Sequence, residues 1–277
     1  MERNNLEQAL VRNDLETVER LCRTQPDLVK TIDENGNTPL YVNFCDDLIN
    51  PTLAIVNCLL NHGASATLQN KDGNTPLHVY LSDDRQIQPT LEIVTSLVAS
   101  ATLQNKDEDT PLHVYLSDGF NHTLEIVTCL VQHSTSTTLQ NKDGDTPLHV
   151  YLSDGFNHTL EIVTCLVQQC TSATMQNKDG NTPLHVYLSG NYDPTLEMVT
   201  CLLNQDASTT LQNKDGNTPL HVYLSDRYHP TLEMVAYLKQ HGAPVTLQNK
   251  EGNTPISVLK NNKQIQDPEK NEILNFF

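Results

Sequence analysis

The chain has 277 residues, with 34 Asp or Glu against 17 Lys or Arg, a formal net charge of −17 at pH 7. That balance argues against nucleic acid, whose phosphates reward a basic face, and against an anionic membrane surface. Apolar runs are short and the first residues are polar and charged, so neither a bilayer-spanning helix nor a secretory leader is expected. Seven cysteines without a pairing pattern fit reduced thiols in a cytoplasmic protein.

The first 30 residues carry two apolar stripes at helical spacing, Leu6, Ala9 and Leu10, then Leu15, Val18 and Leu21. They predict a helix pair, an N-terminal capping unit over residues 1–34. A triplet then recurs. Thr-Pro-Leu begins at Thr38, Thr75, Thr110, Thr146, Thr182 and Thr218, and Thr254-Pro255-Ile256 is a seventh copy. The intervals are 37, 35, 36, 36, 36 and 36 residues, a period that marks stacked units. Residues 110–145 and 146–181 differ at only five of 36 positions. The expectation is a single domain over 1–277, with six repeats over 35–253 and a C-terminal capping unit over 254–277.

The copy at Thr146 shows the pattern. Thr146 can cap a helix and Pro147 suits the first helical position, where its missing N–H costs nothing. Leu148, Val150, Tyr151 and Leu152 extend a short first helix, and Ser153–His158 breaks it. Thr159 opens a second helix with Leu160, Ile162, Val163, Leu166 and Val167 as its apolar stripe. Thr174-Met175-Gln176 reads as extended, and Asn177–Asn181 as a turn centred on Asp179-Gly180. The unit is therefore read as helix, loop, helix and hairpin-like finger.

The phrase Gly73-Asn74-Thr75-Pro76-Leu77-His78, followed in its unit by the pattern above, resembles the ankyrin repeat family. The resemblance covers nearly the whole chain. It implies an all-α solenoid of helix–loop–helix units with β-hairpin-like fingers, and a non-enzymatic protein-binding scaffold. Two departures stand out. The units are longer than the usual ankyrin length, with the extra residues between the two helices. The usual alanine pair is Tyr-Leu, as in Tyr80-Leu81 and Tyr187-Leu188. Units worded Thr-Pro-Leu-His-Val-Tyr-Leu, with this longer loop, are similar to ankyrin units of poxviruses and some intracellular bacteria, which implies host protein partners and a host-cytoplasm location.

One junction is irregular. Ser96 to Leu103 spans seven steps where Cys129 to Leu139 spans ten, and Glu108 stands where other fingers carry Gly. A shortened second helix near Val98–Ala101 and a strained turn at Glu108 are expected.

Among candidate sites, His78, His113, His149, His185 and His221 fall one per repeat, too far apart to converge on one metal ion. They read as packing residues, replaced by Tyr41 and Ser257 in the end units. Cys58, Cys129, Cys165 and Cys201 share one position of the second helix, with no base noted near in sequence, and read as small buried hydrophobes. No cofactor, metal site or catalytic set is expected. The inserted loops carry Phe120, Phe156, Tyr192 and Tyr228 at one shared position, with Leu48 and Arg85 at that place in the first two units. Aromatic rings are frequent interface anchors, so these six are the candidate protein-binding residues. Residues 31–249 hold 24 acids and 8 bases, a net −16, which suits a basic partner. The reading is a monomeric binding scaffold; the alternative is a self-associating structural or assembly protein.

Overall fold

The computed structural model describes residues 2–45, 50–82, 88–117, 122–133, 138–153, 158–168, 172–190, 192–225, 230–263 and 267–277. It divides into two compact units, Met1–Ser136 and Thr137–Phe277.

The first unit pairs helices α1 (Glu2–Val11) with α2 (Leu15–Thr24), α3 (Pro39–Val42) with α4 (Leu53–Asn61), α5 (Pro76–Leu81) with α6 (Leu91–Leu97), and α7 (Pro111–Ser117) with α8 (Leu124–His133). The second repeats the scheme with α9 (Pro147–Ser153) and α10 (Leu160–Gln168), α11 (Pro183–Ser189) and α12 (Leu196–Leu203), α13 (Pro219–Ser225) and α14 (Leu232–Gln240), and α15 (Pro255–Asn261) and α16 (Asp267–Phe276). Within each unit the first helices pack on one another, as α5 on α7 and α11 on α13. The second helices do likewise, as α4 on α6 and α10 on α12. Each unit is thus an all-α stack of helix pairs.

The helices start where the chemistry directs. Asp14 caps α2 by accepting the Thr17 N–H at 3.1 Å. Each later first helix opens on Thr-Pro. In α5, α7, α9, α11 and α13 the Leu, Tyr and Leu that follow are buried, as Leu77, Tyr80 and Leu81 are in α5. The second helices bury the stripe read from the sequence, for instance Ile162, Val163, Leu166 and Val167 in α10. In α16, Ile273 is buried while Asn271, Glu272 and Asn275 face solvent. Phe276 lies 4.5 Å below the Lys239 ammonium of α14.

The hairpin-like fingers expected from the sequence are not there: among the described residues there is no β-strand. The physical reason is local. The Asn70 N–H reaches the Asn74 carbonyl at 2.9 Å, and the Asn70 side chain takes the N–H groups of Asp72 and Asn74, each at 3.0 Å. An Asn side chain that satisfies the backbone in this way closes a tight turn. Too few backbone pairs remain for a ladder. Likewise Ser172–Thr174, partly read as extended, is a short 3₁₀ turn.

The irregular junction is present. Helix α6 ends at Leu97 and passes into a 3₁₀ turn over Val98–Ser100. Glu108 sits at φ 61°, in the region that the glycines of the other fingers occupy at 77–81°. A Cβ is disfavoured there, so the turn carries backbone strain.

Candidate protein-interaction surface

The finger phrase Gln-Asn-Lys-Asp-Gly serves stacking. Lys71 N–H donates to the Asn35 carbonyl at 2.8 Å, Lys106 N–H to Asp72 and Lys214 N–H to Asp179. Asn213 Nδ2 donates to Asn181 Oδ1 at 2.9 Å, and Asn249 Nδ2 to Asn217 Oδ1 at 2.8 Å. Gln176 Nε2 donates to Gly180 O within its own finger and to Gln212 O of the next. Gln and Asn are therefore committed to neighbouring copies. The uniform wording of the fingers follows from self-stacking. What faces outward is a row of exposed Lys and Asp, such as Lys178-Asp179 and Lys214-Asp215.

The histidine row staples one repeat to the next. The Thr75 N–H donates to His78 Nδ1 at 3.1 Å, and the His78 N–H to Thr75 Oγ1 at 3.4 Å. This is a capping box with His in the place of Glu or Gln. The other ring nitrogen, Nε2–H, donates to the Asp109 carbonyl at 2.9 Å. His149, His185 and His221 reach Asn181, Asn217 and Asn253 in the same way at 3.0 Å. With Nδ1 accepting and Nε2 donating, the ring is neutral. Burial holds His78 and His185 down to about 4, against an ordinary 6.5. Tyr41, in the first copy, bonds the equivalent Asn74 carbonyl at 2.6 Å.

The tyrosine that replaces an alanine has a role the sequence reading missed. Tyr80, Tyr115, Tyr151, Tyr187 and Tyr223 are buried, and each hydroxyl accepts the N–H of the Thr that opens the second helix, at 2.8–3.0 Å. The ring spans from first helix to second and pins the far end of the inserted loop. A Tyr placed eight or ten residues before a helix-opening Thr is the signal that was available.

Of the six candidate anchors, Phe120, Phe156, Tyr228, Leu48 and Arg85 lie outside the described residues. Tyr192 is half-buried. Its hydroxyl donates to the Leu152 carbonyl at 2.7 Å, and its ring meets His158 at 4.8 Å and Tyr187 at 5.5 Å between centroids. His158 Nε2 in turn lies 2.8 Å from the Tyr151 carbonyl. At this position the ring is folded over its own and the preceding helix pair.

The second unit also holds a groove of about 410 Å³ between two fingers and the ends of α13 and α15. Asp215, Lys250 and Glu251 line its finger side, and Ser225, Val258 and Asn262 its helix side. Two acids against one base leave it net negative. Asn262 Nδ2 crosses its floor toward the Leu224 carbonyl at 3.3 Å.

The cysteines divide. Cys58 and Cys129 are buried, while Cys165 and Cys201 are half-buried. Contrary to the sequence reading, a base does lie near: His62 and His133 follow Cys58 and Cys129 by one helical turn, with Nδ1 at 3.8 and 4.0 Å from the thiol. Among the described residues no helix is long and apolar enough to cross a membrane.

Stacked helix pairs joined by tight, mutually bonded fingers define a repeat scaffold whose repeated residues are spent on packing. The family model of ankyrin repeats matches the chain in three copies, over residues 117–194 and 150–249, and over that part the chain belongs to the ankyrin-repeat family. Proteins of this family are typically non-catalytic scaffolds. No curated protein matches the chain.

Proposed function

We propose that the protein is a non-enzymatic scaffold that binds a protein partner through the finger side of its second unit. The observation that carries this reading is the acidic groove between fingers and first helices at Asp215, Lys250 and Glu251. A concave polar site with fixed walls is a preformed docking place for a partner side chain or segment. The acid excess of residues 31–249 selects a basic partner and speeds its approach. A nucleic-acid partner is disfavoured by the same charge. The chain acts as a monomer in the cytoplasm.

A second reading places binding on the inserted loops at Leu48, Arg85, Phe120, Phe156, Tyr192 and Tyr228. It is supported by the sequence variation of those loops, since specificity is written where a rigid frame carries variable loops. The inward contacts of Tyr192 favour the groove over that one anchor. A pathogen protein acting on host proteins is the finer reading, and it rests on the resemblance of the repeat wording alone.

The test is a pull-down from eukaryotic cytosol at moderate salt, with three proteins checked for folding by circular dichroism. Asp215→Lys with Glu251→Lys should lose the partner, while Phe120→Ser with Phe156→Ser should keep it. Loss only in the loop variant moves binding to the loops. Light scattering over a concentration range tests the assembly alternative, which a mass that grows with concentration would favour.

A further inference from the structure

Helices α2 and α4 place three metal-ligating side chains at one point, at the interface of the capping pair with the first repeat. Cys22 of α2 and Cys58 of α4 bring their thiols within 4.8 Å of each other, and Cys58 Sγ lies 3.8 Å from His62 Nδ1. The ligand atoms of all three lie within 4.8 Å of one another. Around a tetrahedral zinc, with bonds of about 2.0–2.3 Å, ligand atoms stand roughly 3.3–3.8 Å apart, so sub-ångström to one-ångström shifts complete the triangle. We propose that Cys22, Cys58 and His62 form a binding site for a thiophilic divalent cation of the zinc type, with the fourth position left to water.

The same helix motif elsewhere in the chain shows what is special here. His133 follows Cys129 as His62 follows Cys58, but the side chain facing Cys129 is the hydroxyl of Thr95, at 3.8 Å. Cys201 faces Thr164 at 3.5 Å. A neutral hydroxyl is a poor ligand for zinc, whereas a second thiolate is among the best. The His at this place has a structural use on its own, since Nδ1 of His62, His133 and His241 reaches back to the carbonyl four residues earlier at 2.8–2.9 Å. Metal binding takes His62 Nδ1 from that carbonyl, and the helix end gives up one bond for one coordination bond.

The charges balance. Two thiols release two protons on binding, and two thiolates neutralise a divalent cation, so the filled site is neutral and suits its burial. Without a cation, burial pushes the Cys22 thiol up to about 12, which keeps it protonated and unreactive. Glu19 and Arg23 of α2 are the charged groups that act on Cys58, with opposite signs. Cys22 and Cys58 are buried, and the half-buried His62 leaves an entry path from solvent. A filled site joins the capping pair to the first repeat.

The test uses the full chain, reduced with a phosphine and titrated with cobalt(II) as a spectroscopic stand-in for zinc. One cobalt per chain should bind with thiolate-to-cobalt charge-transfer absorption in the near ultraviolet, and zinc(II) should displace it. Cys22→Ser, Cys58→Ser and His62→Gln should each weaken binding by at least the roughly 10–100-fold that even an outer-shell partner is worth. Cys129→Ser should leave it unchanged, since Ser96 already holds the equivalent position. Should a Cys22 variant fail to fold, His62→Gln, at a half-buried side chain, still decides. Zinc should raise the melting temperature of the wild type and not of His62→Gln. Absence of a thiolate band at saturating cobalt, or a band lost as fully in Cys129→Ser as in Cys58→Ser, overturns the site.

Discussion

Two glycines of the second unit separate a torsional cost from a steric one. Gly180 and Gly252 have φ of 78° and 79°, so an alanine is equally strained at either. A left-handed Cβ costs about 1–2 kcal/mol, and the smaller unfolded-state entropy of alanine returns about 0.4–1 kcal/mol. The net torsional loss is therefore about 1 kcal/mol at both. The surroundings differ. A Cβ on Gly180 would stand 2.7 Å from the Lys214 backbone nitrogen and 3.0 Å from Asn213 Cα, in the next finger. A Cβ on Gly252 meets nothing within 4 Å. The overlap at Gly180 falls on backbone, which cannot swing aside, and adds about 1–3 kcal/mol as overpacking does. Gly252→Ala should then cost about 1 kcal/mol and Gly180→Ala about 2–4 kcal/mol. Urea unfolding followed by far-ultraviolet circular dichroism measures both, since the chain has no tryptophan to follow by fluorescence. Amide exchange adds a local readout. The Lys214 N–H, bonded to Asp179 O at 2.8 Å, should exchange faster in Gly180→Ala and not in Gly252→Ala. Equal losses for the two variants would refute the stacking account of the fingers.

The strained turn at Glu108 gives the converse: Glu108→Gly should stabilise the chain by about 1 kcal/mol, and Glu108→Ala should not, as urea midpoints at constant slope will show. The buried histidines set a pH dependence. Their pKa values are lowered in the fold, to about 4 for His78 and His185, so the unfolded chain takes up protons first. Stability is complete above about pH 6.5 and falls as pH drops toward 4, by up to roughly 3 kcal/mol for each of these two; a flat profile through that window would contradict the neutral capping role. Tyr187→Phe should cost about 1 kcal/mol, because it strands the Thr195 N–H at the start of α12. Hydrogen exchange should then quicken at Thr195.

The sequence carries the repeat in full view, because period, Thr-Pro starts and apolar stripes are local signals. Short helices such as α9 and α11 could be placed from Thr146 and Thr182 alone. The fingers misled because Asp-Gly turns look alike whether strands flank them or not. What decides is that Asn70 and Asn213 turn their side chains onto their own backbone, and no period reports that. The tyrosines showed in the sequence only as a departure from the usual alanine, whereas Tyr151 is a tether whose hydroxyl accepts the Thr159 N–H. The Cys22, Cys58 and His62 cluster was hidden for another reason. Two of its three members are local, one helical turn from Cys58 to His62, but Cys22 arrives only through the packing of α2 on α4.

The finger bonds have a direction. Within each unit the Lys amides and the Asn side-chain amides donate back to the copy before, while the Gln side chains and the capping His rings donate forward to the copy after. Such a row behaves like a polymer with a head and a tail, whose interior members are interchangeable. A copy can be gained or lost by recombination without new chemistry at the seam, which is consistent with two neighbouring copies that differ at five positions. The first finger is different. Asp33 stands where later fingers carry Asn, and a carboxylate has no hydrogen to send back. Its Oδ1 takes the Asn35 and Asn37 N–H groups at 2.7 and 2.8 Å, with Arg3 4.0 Å from Oδ2. One changed side chain, amide to acid, thus makes that copy the fixed head of the row, while those behind it are free to vary in number.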